Sequence, residues 1–221
     1  MENLGEGFCP DSFWNETVTW NTTHPRVTQC FQETVLVGIP CIFLWLLTPF
    51  WIRFISKGSR AQYPPPKGKL TTLVTKITAL LILAAGLIFQ LVQRLENDSI
   101  FPSEVVGPSC LLFTYALVLL VIVMERRKGI HTSPLQFYFW LIHFVVNIPQ
   151  FVKDVQELVN EDFQATTLVS ALTTLPILLI KVMVHSFSDV YTDDPSQPPE
   201  LTTSHISFLL FAWMDGIIWK G

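Results

Sequence analysis

Apolar positions gather into five long runs, at 34–52, 77–93, 105–124, 134–152 and 163–180, and none of the five contains a Lys, Arg, Asp or Glu. Crossing roughly 30 Å of hydrocarbon at 1.5 Å per residue takes about 20 residues of helix, and each run is close to that length. A buried helix of a soluble protein can be equally apolar, but five in succession with polar segments between them predict membrane spans. The expected fold is an all-α membrane protein, a five-helix transmembrane bundle. The polar segments divide the chain into a head at 1–33, a five-helix domain at 34–188 and a linker at 189–221.

Composition agrees with this, since half of the residues are hydrophobic and 14% are charged, whereas roughly a quarter are charged in a soluble domain. The placement of those charges predicts sidedness. Lys and Arg collect in cytoplasmic loops. The segment after the first run carries Arg53, Lys57, Arg60, Lys67 and Lys69, and the one after the third carries Arg126, Arg127 and Lys128 just past Glu125. Arg94, Glu96, Asp98 and Glu104 lie between the second and third runs, and Lys153, Asp154, Glu157, Glu161 and Asp162 between the fourth and fifth. The basic segments are expected inside and the acidic ones outside, so the amino terminus is external and the carboxyl end cytoplasmic. Lys76 and Lys181, at the cytoplasmic ends of their runs, are expected to snorkel to the headgroups without needing a buried partner. A charge lining a transport path is the alternative reading of Lys181.

No basic segment followed by a short apolar core opens the chain, so no cleavable signal peptide is predicted and the first span acts as the anchor. The head contains Cys9 and Cys30, and an oxidising exterior makes their disulfide the natural pairing, with two free thiols as the alternative. Asn15-Glu16-Thr17 and Asn21-Thr22-Thr23 are glycan acceptor sequons on the same side of the membrane. Asn97-Asp98-Ser99 is a third, in a loop too short to hold its asparagine away from the bilayer.

Within the spans, Pro40, Pro49 and Pro176 each remove a backbone hydrogen bond and predict kinks. Small residues at helical spacing, Thr78, Ala79, Ala85 and Gly86 on the second run and Thr167, Ser170, Ala171 and Thr174 on the fifth, predict close helix approach. Trp45, Trp51, Tyr115, Tyr138 and Trp140 read as anchors and fillers. His143 and Asn147, one turn apart, and Lys181 are the candidate intramembrane polar contacts, with His185 near the cytoplasmic end of the fifth span. A phosphate-binding loop, a His-Glu-x-x-His helix, a Cys-x-x-Cys pair and a nucleophile elbow are all missing from the chain, and its five histidines are scattered. An engine for chemistry, a metal or a cofactor is therefore not expected within it. The segment 189–200 is acidic and proline-rich; beyond it, Ile206 and Phe208 through Trp219 predict a helix on the cytoplasmic membrane surface. The close at Lys220-Gly221 looks like a truncation.

The stretch Trp14-Asn15 through Trp20-Asn21-Thr22, and then Cys30-Phe31-Gln32-Glu33-Thr34-Val35-Leu36-Val37-Gly38-Ile39-Pro40-Cys41, resembles the amino terminus of the multidrug resistance-associated proteins, ABC transporters of subfamily C. The likeness continues in Glu125-Arg126-Arg127-Lys128-Gly129, Phe139-Trp140-Leu141, Ser186-Phe187-Ser188-Asp189, and Ser207-Phe208-Leu209 through Trp213 and Lys220-Gly221. Gly38 departs from the bulky aromatic common at that point in relatives.

The resemblance implies the extra five-helix domain that precedes the transport core, followed by the start of its linker. It implies ATP-driven export of organic anions and glutathione, glucuronate or sulfate conjugates by domains outside this chain, which would bind ATP and Mg. For this domain it implies trafficking, plasma-membrane retention and partner contact, with the transporter core of the same polypeptide, the bilayer, and trafficking or channel proteins as partners. No nucleic acid is expected. The family's disulfide would fall on Cys9 and Cys30, and its glycans on Asn15 and Asn21. A domain that docks on a potassium channel, as in the sulfonylurea-receptor branch, is the runner-up, and a stand-alone five-helix binding or chaperone subunit is a further alternative.

Overall fold

Helix starts, prolines and the placement of polar side chains determine how the apolar runs become a bundle. In a computed structural model, residues 8–9, 12–20, 27–57, 69–96, 101–128, 133–159 and 165–186 are described. Asn21, Asn97 and the linker at 189–221 with its expected surface helix lie outside the described residues, as do the side chains of Thr167, Ser170 and Ala171.

The elements are α1 (Glu16–Trp20), α2 (Gln29–Phe31), a π-helical turn (Gln32–Leu36), α3 (Val37–Lys57), α4 (Lys69–Leu95), α5 (Pro102–Arg127), α6 (Pro134–Val159) and α7 (Ala165–Ser186). Four apolar helices, Gln29–Lys57, Thr71–Leu95, Pro102–Arg127 and Pro134–Gln156, are long enough to cross a membrane, and Thr173–Ser186 of α7 is a shorter apolar segment. The helices overrun the five apolar runs. Charged residues expected in loops, among them Arg94, Glu104, Glu125, Lys153 and Asp154, sit within the helices, toward their ends, instead. A helix does not end where hydropathy ends; it continues while its backbone bonds are satisfied and its side chains find partners.

At the start of α5, Phe101 is extended, Pro102 supplies a pre-set φ, and Glu104 Oε2 accepts the Phe101 backbone N–H at 3.3 Å. Pro108 and Pro149 lie inside helices, as do Pro40, Pro49 and Pro176, and all five are accommodated without breaking them. Pro108 cannot bond to the Glu104 carbonyl one turn earlier, and Arg94 from α4 donates to that carbonyl at 3.2 Å.

The chief packing contacts run in a ring, α3 to α5, α5 to α4, α4 to α7, α7 to α6, and α6 back to α3. Phe139, Trp140, Leu44, Val118 and Leu178 fill the centre. Ile42, Leu46, Phe50 and Phe54, four residues apart on α3, face outward and are exposed, while Thr48, Thr114, Gln136, His143, Lys181 and His185 are buried. Apolar side chains outside and polar ones inside is the arrangement a bilayer demands, because polar groups there need protein partners. The chain is a multi-pass membrane protein.

Candidate functional site: two polar clusters and a cavity

One polar cluster lies at the end of the bundle where α3 and α5 finish. Glu125 Oε1 accepts Trp51 Nε1–H at 2.7 Å, and its Oε2 accepts the Gln136 amide at 2.8 Å. Gln136 Oε1 lies 2.8 Å from His185 Nε2, and His185 Nδ1 lies 2.9 Å from the Lys181 carbonyl. The Lys181 ammonium donates to the Lys76 carbonyl and stands 4.5 Å over the Trp140 ring. Every helix of the ring supplies a member.

Lys181 is only 1% exposed and turns inward, which corrects the expectation that it reaches the headgroups. Because α7 continues to Ser186, Lys181 lies more than a turn inside the helix, where an aromatic face and a carbonyl receive it. Lys76 is also buried, since α4 begins about two turns earlier, at Lys69.

Both nitrogens of His185 face oxygens, and a neutral imidazole carries one N–H. A doubly protonated ring completes both bonds; so does a neutral ring if Gln136 turns its amide over and Glu125 holds the proton. The same heavy-atom positions therefore serve two proton arrangements. Hydrogen bonds from Trp51, Gln136 and Lys181 cross between helices, which makes the cluster a fastener of five helices, while the buried Trp140 indole N–H has no hydrogen-bond partner among the described residues.

The second cluster is at the head end. Glu33 Oε1 accepts Arg94 at 2.8 Å and Gln29 Nε2 at 3.1 Å, and that same Gln29 nitrogen lies 3.1 Å from Glu104 Oε1. The π-helical turn places Gln32 and Glu33 on the buried side, a use typical of such turns at functional positions. Gly107 permits the approach of α5, because a Cβ there would meet the Glu33 carbonyl oxygen at 2.6 Å. The head is tied to this end. Cys9 and Cys30 are joined, with Cα atoms 5.4 Å apart; Ser103 N–H donates to the Phe8 carbonyl at 3.0 Å, and Phe13 and Trp14 pack edge-on against Phe31. Asn15 Oδ1 accepts the Thr17 N–H and hydroxyl at 3.1 and 2.6 Å.

Between the clusters lies a cavity of about 160 Å³. It is lined by Gln32, Glu33 and Arg94 at one side and by Tyr115, His143 and Asn147 deeper in. His143 Nε2 is 2.9 Å from the Tyr115 hydroxyl, and Asn147 donates to the His143 carbonyl at 2.8 Å. His143 and Asn147 thus share one contact group whose tertiary partner is Tyr115, whereas Lys181 belongs to the other cluster. Sequence reasoning missed Trp51, Glu125 and Gln136 as site members. A carboxylate at the very end of an apolar run and a glutamine inside the next one were the available signals. Among the described residues no group of His, Cys, Asp and Glu could hold a metal ion.

The ABC transporter TMD0 domain family matches residues 7–171. The chain is similar to ATP-binding cassette sub-family C member 2 of Mus musculus, 26% identical over 216 residues covering 97% of this chain and 14% of that protein. It is also similar to sub-family C member 3 of Homo sapiens, 24% identical over 217 residues covering 95% of this chain and 14% of that protein. Sub-family C member 2 of Homo sapiens is 26% identical over 219 residues, 98% of this chain. The chain spans 14% of the length of each of these curated relatives. With a match across most of its length, and a ring of apolar helices closed around polar fasteners, the chain belongs to the ABC transporter TMD0 domain family.

Proposed function

We propose that this chain is the accessory amino-terminal membrane module of an ATP-driven exporter of organic anions and conjugates, serving trafficking, membrane retention and partner contact. The observation that supports this reading is the use of the buried polar groups: those of the five-helix cluster bond across helices, as a support requires and a translocation path does not. ATP and Mg act in the remainder of such a transporter. Residues 1–33 form the external head, 34–188 the five-helix domain and 189–221 the cytoplasmic linker toward the core, with Asn15 and Asn21 carrying glycans and the plasma membrane as the destination.

The test compares the longer polypeptide with and without residues 1–188, reading surface biotinylation and ATP-dependent uptake of a glutathione conjugate into inside-out vesicles. Reduced surface abundance with unchanged uptake per surface molecule is expected. Loss of uptake at equal abundance would overturn the accessory role. The sidedness has its own test: peptide-N-glycosidase shifts the protein on a gel, and changing Asn15 and Asn21 together to Gln removes that shift.

A further inference from the structure

Beside the head-end cavity lies an unanswered hydrogen-bond demand. Glu33 is 9% exposed, lines the cavity, and spends Oε1 on Arg94 and Gln29, while its Oε2 is buried with no partner among the described residues. A buried carboxylate oxygen without a donor is costly, and what it lacks is an N–H or O–H group. The lining also holds the amides of Gln32, Gln90 and Asn147, which both donate and accept, and a second cation, Lys153. Arg94 stands at the rim, 34% exposed, with Nη1 engaged by Glu33 and the Glu104 carbonyl. A guanidinium has five N–H donors, so donors remain there for an anion.

We propose that this cavity binds a zwitterion in which a primary ammonium is joined by a short link to a phosphodiester, the headgroup chemistry of phosphatidylethanolamine. The ammonium enters and gives an N–H to Glu33 Oε2, with a small turn of the carboxylate toward it, and the phosphate remains at the rim on Arg94. Size agrees, because a cavity of about 160 Å³ compares with the engineered apolar cavity of about 150 Å³ that accommodates benzene, and an aminoethyl group is smaller. Location agrees as well. Arg94 is in the last turn of α4 and Glu33 precedes α3, which places both at the end of their spans, at headgroup depth. A choline headgroup carries the same charges, but its quaternary nitrogen has no N–H to give. An apolar ligand would leave Oε2 unanswered.

The test is lipid retention. The purified chain is placed in nanodiscs holding equal amounts of phosphatidylethanolamine and phosphatidylcholine, extracted into detergent, and its bound lipid identified by mass spectrometry. Wild type is expected to retain the ethanolamine lipid about tenfold over the choline lipid, within reach of one hydrogen bond to a charged group. Glu33→Gln is expected to abolish the preference. That variant also loses the ion pair with Arg94, so Gly86→Leu provides the second arm. Gly86 lines the cavity, the nearest heavy atom to a Cβ built there is Thr173 Oγ1 at 4.0 Å, and the substitution removes neither Glu33 nor Arg94, so the expected effect is a filled cavity with the ion pair retained. Glycerophosphoethanolamine supplied in lipid-free micelles distinguishes the sources: saturable binding that Gly86→Leu blocks assigns the site to the soluble zwitterion, and binding of the lipid alone assigns it to the bilayer. Equal retention of the two lipids by wild type, meaning that water answers Oε2, overturns the proposal. A preference that survives in both variants overturns it equally.

Discussion

The two ends of the bundle answer the same problem differently. Where α3 and α5 finish, Glu125, Gln136 and His185 are buried and bonded to one another, and all five helices meet there. At the head end, Glu33 and Arg94 form an ion pair that borders a cavity, and Arg94 is partly open to solvent. The closed end fixes which helix lies beside which. The open end leaves room, with the unanswered Glu33 Oε2 beside it. A charge that is fully enclosed is an effective fastener and a poor receptor, while one beside empty space can still bind something.

Glu125→Ala breaks this contrast most directly. It strands the Trp51 and Gln136 donors, and a loss of about 3 kcal/mol is expected, at the upper end for a membrane bundle because two donors lose their acceptor. Thermal unfolding in detergent, followed by circular dichroism, checks it. Gly107→Ala should cost about 2 kcal/mol at the other end, because its methyl group is forced onto the Glu33 backbone carbonyl and the helices must part. The same unfolding assay reads that loss, and a wild-type midpoint would contradict the close approach.

Arg94→Gln should cost about 1 kcal/mol at low salt and less at high salt, since an ion pair whose arginine is partly exposed at the rim is screened. Midpoints measured across a sodium chloride series separate the two ends: the Glu125→Ala penalty stays constant and the Arg94→Gln penalty shrinks. If both shrink together, the distinction between closed and open ends is lost. The smallest effect belongs to the outer face. Phe50→Leu, on the exposed side of α3, should move the midpoint by about 0.5 kcal/mol or less.

Much of this architecture is legible in the residues. The five runs locate the helices because a bilayer requires a length of apolar chain, and that requirement is local. The partners of His143 and Lys181 are less legible, since they depend on which helix lies beside which. Lys181 resembles a snorkelling lysine on its own helix. Its burial becomes visible only when Trp140 of α6 and the Lys76 carbonyl of α4 are brought against it. Glu125 resembles a loop charge for the same reason, and only Trp51 and Gln136 identify it as interior. Arg94 and Glu104 contribute to an acidic segment on paper, yet in three dimensions Arg94 donates to the Glu104 carbonyl freed by Pro108, and Glu104 shares Gln29 with Glu33. The sign of a charge is local information, whereas its partner is a property of the fold.

The ring order has a consequence for how the protein is made. Helices leave the ribosome in the sequence α3, α4, α5, α6, α7, yet α3 has its chief neighbours in α5 and α6, and α4 has its own in α5 and α7. During synthesis the first two helices wait for partners not yet translated, and Glu125 and Gln136 meet lipid or water before His185 exists. A polar side chain exposed to hydrocarbon is costly until a partner helix covers it. Arrival of α7 closes the ring and gives Gln136 its His185 partner, so the last helix made is the one that completes the polar cluster.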